Sequence, residues 1–124
     1  MSTVTPFTNS DQVRTTDNAE TNCVLADLAS YDHCTAGFTI FVLARSTTGV
    51  SAKWLLSFTA ERATGNAAIV ASLVNQVALE RDLGALTWTA SADVDGTLLR
   101  IRVKGQNGLT IDWYGAFDGQ ILQA

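Results

Sequence analysis

Between residues 86 and 117, in LTWTASADVDGTLLRIRVKGQNGLTIDWYGAF, almost every second residue is apolar. In an extended chain successive side chains point to opposite faces, so this period builds sheet with one face turned to a core. Asp95-Gly96 is a preferred two-residue type I′ hairpin turn. Centred there, the turn predicts Ala92 opposite Leu99, Ala90 opposite Ile101 and Trp88 opposite Val103. A two-residue turn at Gln106-Asn107 would pair Val103 with Thr110 and mix the two faces. A three-residue loop, Gln106-Asn107-Gly108, keeps the parity, with Gly108 in the left-handed position. The end of the chain is thus expected as a meander. Val103 faces Ile111 and Ile101 faces Trp113 on one side, with Arg102 opposite Asp112 and Arg100 opposite Tyr114 on the other. Trp88 and Trp113 point inward.

The same period recurs upstream. Ala52, Trp54, Leu56, Phe58 and Ala60 alternate with Lys53, Ser57, Thr59 and Glu61, with Leu55 as the exception. Ala, Leu, Lys and Glu are good helix formers, but the persistent alternation favours a strand. Phe38 to Arg45 (FTIFVLAR) is β-branched and aromatic on both faces, the pattern of a strand buried on two sides. VRTTDNAET and CVLADLA read as short edge strands. Residues 66–82 fit either one amphipathic helix or two short strands broken near Ser72 to Gln76. The first dozen residues are polar and aperiodic, and predict a flexible arm over 1–12. The remainder, 13–124, shows no repeat and predicts a single all-β domain.

Apolar residues make up 47% of the chain and charged residues 16%, against about 25% in an average soluble domain. A small domain this poor in charge is expected to hide surface in an assembly. If Ile40, Val42 and Ala44 serve the core, Phe41 and Leu43 fall on the outer face, where Leu55 of the next strand joins them. This patch is the candidate self-association surface. A net charge of −4 argues against general nucleic-acid binding, which depends on Lys and Arg at phosphates. The N-terminus reads as no signal peptide, and no apolar run reaches the roughly 18 residues of a membrane helix. A chain made in a cytoplasm is expected, with Cys23 and Cys34 as buried thiols.

Motifs for chemistry are missing. Asp32-His33-Cys34 has no CxxC or HxxxH partner, so no metal is assigned. His33 and Cys34 are sequence neighbours, which point apart on a strand and make a poor base and nucleophile. Asp93 and Asp95 resemble the start of a calcium loop but lack its bidentate Glu. No phosphate-binding glycine loop is present, so neither cofactor nor catalytic residue is assigned. The remaining surface feature is the basic stripe Arg100, Arg102 and Lys104. It is either a solvated sheet face or, with Tyr114 and Tyr31, a polar platform for a sugar or an anionic polymer.

The ordered set TTDNAET, FVLAR, SAKWLLSFTAERATGNAAIV, ERDLGALTWTASAD and GTLLRIRVKGQNGLTIDWYGAF resembles a small β-domain of tailed-bacteriophage appendage proteins. The signature is the closing V-x-G-x-x-G-x-T-I-x-W, carried here by Val103, Gly105, Gly108, Thr110, Ile111 and Trp113. The resemblance implies a jelly-roll-like sandwich, a homotrimer and a place on the virion, among other virion proteins, with no catalytic residues. That domain usually ends a long fibre, whereas here it stands almost alone, which points also to a head spike or decoration protein. The alternative expectation is a carbohydrate-binding module for host surface polysaccharide.

Overall fold

A computed structural model of the chain describes residues 2–124. Among the described residues, nine strands form two antiparallel sheets: β1 (Thr3–Thr15), β2 (Glu20–Asp27), β3 (Cys34–Ser46), β4 (Ser51–Arg62), β5 (Ala68–Ile69), β6 (Asn75–Arg81), β7 (Thr89–Asp95), β8 (Leu98–Lys104) and β9 (Ile111–Gln123). The larger sheet runs β1-β9-β3-β4, with β5 and β6 both on the far edge of β4, and the smaller runs β2-β8-β7. The pairing is nested: first strand with last, second with next-to-last. A long antiparallel ribbon that wraps over itself has this pattern, so the sandwich is jelly-roll-like.

Alternation dictates the core. In β4, Ala52, Trp54, Leu56, Phe58 and Ala60 are all buried, as their period requires. Two aromatic clusters fill the space between the sheets. Trp113 stacks on Trp54 with centroids 5.6 Å apart and lies 6.0 Å from Trp88. Further along, Phe117 meets Phe38 edge-on at 5.2 Å, with Phe58 and Phe7 beside them. The buried Trp113 indole donates to Thr15 Oγ1 at 2.9 Å, which satisfies the polar end of the ring.

Several expectations are corrected. Residues 3–12 are not an arm but most of β1, paired rung by rung with β9 from Thr3↔Gln123 to Thr15↔Ile111. Their polar side chains hide a strand that is held by backbone bonds and a few inward groups, Phe7 foremost. The stretch expected as a strand through TTDNAET is interrupted by bends at Thr16 to Ala19. Residues 66–82 are strands β5 and β6, separated by a short 3₁₀ turn at Val70–Ser72. β3 is buried on one face only: Phe41 is half-buried and Leu43 is 41% exposed.

The closing segment differs most. The β7–β8 loop is Gly96-Thr97, with Gly96 at φ 62°, so Asp95 pairs with Leu98 and Val94 with Leu99. Partners shift by two residues, which preserves the faces: Ala92 meets Ile101 and Ala90 meets Val103. A positive φ at the first loop position alone is the type II′ pattern rather than I′. β8 and β9 are not a hairpin at all. All thirteen residues of β9 pair with β1 on one side and β3 on the other, while β8 lies in the opposite sheet. Two strands facing across a sandwich show the same alternation as two in one sheet, because both serve one core. Gly108 does take the left-handed conformation, φ 75°, at the corner where the chain changes sheets.

Candidate binding surface

The basic stripe lies on the outer face of the small sheet. There β7, not β9, is its neighbour, and β7 supplies acid. Arg100 donates twice to Asp93, Nε to Oδ1 and Nη2 to Oδ2, both at 2.7 Å, and lies 3.6 Å from Asp95. Arg102 is 3.6 Å from Glu20 and 3.9 Å from Asp93. The Arg100 hydrogen bonds hold the Asp93 carboxyl below the usual carboxylate range and raise the guanidinium in turn. Lys104 is exposed and, among the described residues, joins none of these ion pairs. The stripe is therefore a charge-compensated ladder, and the expected pairs Arg102–Asp112 and Arg100–Tyr114 do not form. Asp112 instead binds Arg14 of β1, whose Nε is 2.7 Å away.

The five residues proposed as a platform are not brought together. Tyr114 projects from the outer face of the large sheet, on the other side of the molecule from Arg100, Arg102 and Lys104. Tyr31 is half-buried against the core in the β2–β3 connection.

On the outer face of the large sheet, register lines up residues from distant parts of the chain. One row reads Gln12, Tyr114, Leu43, Lys53 and Glu80, across β1, β9, β3, β4 and β6. Tyr114 and Leu43 form its floor, 36% and 41% exposed. Lys53 Nζ meets Glu80 at 3.2 Å. Beyond it lie Asp112, Arg45 and Ser51; Arg45 donates to Ser51 Oγ at 3.1 Å, and Asp82 Oδ2 accepts from the Ser51 amide at 2.9 Å. Together they enclose an open groove of about 740 Å³. Of these the sequence singled out Tyr114, as a platform residue, and Leu43, as a member of the self-association patch. Gln12 was assigned to the arm and Glu80 to the undecided segment, and no local motif links them.

The adjacent row, toward the termini, is Ser10, Ala116, Phe41, Leu55 and Ala78. Here the expected patch is assembled: Phe41 and Leu55 are direct cross-strand partners, and Leu43 stands next to them along β3. The four apolar members are all partly exposed.

Cys23 and Cys34 are unbridged and buried. Burial pushes the Cys23 thiol up to about 11, with Asp11 adding to the shift, and also raises Cys34. Both shifts run opposite to the activation a nucleophilic thiol needs. His33 sits in a turn at φ 52°, its amide donating to Ala63 O.

No family model and no curated protein sequence matches the chain. Among solved structures, the tailspike protein of Acinetobacter baumannii phage AM24 is similar with a TM-score of 0.42 and 12% identity, over 90% of this chain. This chain spans 26% of that one.

Proposed function

We propose that the chain is a non-enzymatic structural component of a tailed-phage particle, displayed at its surface as a tail-fibre, head-spike or decoration element. It assembles there with copies of itself, a homotrimer, and with other virion proteins. The observation that carries this reading is the apolar row Ala116, Phe41, Leu55 and Ala78 on the outside of a sandwich whose core is already complete. An isolated antiparallel sheet keeps such a face polar, so a matched apolar row marks a contact surface. The closing motif from Val103 to Trp113 supports the same placement. Cryo-electron microscopy of intact particles from the producing host tests it. Density for the sandwich on the outer surface is the expected result, and particles lacking the protein would end the proposal.

The second reading is a carbohydrate-binding module for host attachment. Tyr114 favours it, as an aromatic ring exposed in a groove rather than committed to the core.

A further inference from the structure

We propose that the groove on the outer face of the large sheet binds a neutral, hydroxyl-rich oligosaccharide, with Tyr114 as its stacking platform. The proposal rests on the attachment reading and moves the contact away from Arg100, Arg102 and Lys104.

Size comes first. At about 740 Å³ the groove is within the range of ligand sites. It crosses five strands, so at ~4.8 Å per interval it runs about 19 Å from β1 to β6. That is a trough for several linked rings, not a pocket for one small molecule.

Charge selects the class. Three cations line the groove, Arg45, Lys53 and Arg81, and three anions, Glu80, Asp82 and Asp112. The sum is zero, and Lys53–Glu80 and Arg14–Asp112 are already ion-paired. Such a rim offers no net attraction to a polyanion. It does suit hydroxyl groups. A hydroxyl donates one hydrogen bond and accepts two, so it can bridge a carboxylate and an ammonium held 3.2 Å apart, as at Glu80 and Lys53. Gln12 adds an amide that both donates and accepts.

The floor completes the match. Tyr114 and Leu43 are neighbours across β9 and β3 and present an aromatic and an aliphatic surface side by side. A pyranose ring has an apolar C–H face for such a floor and hydroxyl edges for the rim. The groove floor lies over β9 and β3, which are paired on both sides and leave no free backbone there for an added strand. The self-contact row is two residues away along the strands, or ~7 Å.

Affinity electrophoresis of the purified chain tests this, in gels cast with dextran, mannan or galactan as neutral probes and hyaluronan or alginate as anionic ones. Retardation is expected in at least one neutral gel. Tyr114→Ala is expected to weaken it about tenfold or more, as loss of an aromatic anchor does. Tyr114→Trp is expected to keep it, and both variants should retain the native circular-dichroism spectrum, because the side chain is outside the core. Free migration in every neutral gel, retardation in anionic gels alone, or indifference to Tyr114→Ala would each overturn the groove assignment. If a neutral gel retards Tyr114→Ala normally but not the Arg100→Ala/Arg102→Ala double variant, the groove fails while the attachment reading stands. If the wild-type chain is retarded in no gel, both fail.

Discussion

Trp113 Nε1 and Thr15 Oγ1 are joined by a 2.9 Å hydrogen bond between two side chains buried to within a few per cent of full. The bond spans the β1–β9 pair two rungs from its inner end and ties the central indole of the core to the first strand. Thr15→Val removes the acceptor without changing shape much. It leaves a buried indole N–H unsatisfied, at a cost of about 1–3 kcal/mol. Thr15→Ser is expected to recover most of that loss in urea unfolding, which separates the bond from the methyl group's packing.

Gly108 turns the corner between the sheets at φ 75°. A β-branched side chain there is strained, by about 1–3 kcal/mol. Gly108→Val is therefore expected to lower the midpoint of urea unfolding clearly. Gly108→Asn should lower it much less, since Asn tolerates the left-handed region. Equal losses would mean that the corner needs space at this position rather than backbone freedom.

The Asp93–Arg100 pair makes stability fall in acid. The folded Asp93 pKa is depressed, so its contribution is complete above the unfolded carboxylate value of ~3.9 and is lost as pH falls through the lower folded value. Asp93 is exposed enough for solvent to screen the pair, and the effect at neutral pH is under about 1 kcal/mol. Asp93→Asn should flatten the decline of stability below the ordinary carboxylate pKa, measured by urea midpoints across the acid range.

Both thiols should be silent in the native state. The Cys23 pKa of about 11 leaves almost no thiolate at mildly alkaline pH, and burial limits access. Iodoacetamide at pH 8 is expected to label neither cysteine in buffer and both in urea. Rapid labelling of the native protein would place Cys23 or Cys34 outside the core.

Phe41→Glu puts a charge in the centre of the apolar row. The proposed trimer should dissociate to single chains on size exclusion with light scattering, without loss of the β-sheet spectrum. A wild-type chain that is already monomeric at micromolar concentration would remove the role assigned to Phe41 and Leu55.

The sheet character of this chain was readable because alternation is local. Ala52 to Ala60 and Ile111 to Phe117 declare an inner and an outer face without reference to any partner. What alternation does not encode is which strand lies alongside. Arg102 and Asp112 look like partners when β8 and β9 are read as a hairpin, yet they sit on opposite sides of the sandwich. The same limit hid β1, whose register depends on backbone pairing with β9 and whose side chains from Thr8 to Gln12 are exposed and polar. The groove was unreadable for a related reason. Its five-member row takes one residue from each of five strands, so no window of sequence contains it, although Tyr114 was visible as an aromatic on the polar side of its strand.

The Thr3↔Gln123 pairing puts both chain ends at one edge of the barrel-like ribbon, while Tyr114 pairs with Gln12, nine rungs or ~31 Å away. A polypeptide joined at either end thus leaves from the pole opposite the groove. Load between such a tether and a ligand in the groove runs along the strands and strains many rungs in parallel. Load between the two ends instead peels β1 from β9 one rung at a time. By its strand geometry the domain resists load from pole to pole and yields when its own ends are parted.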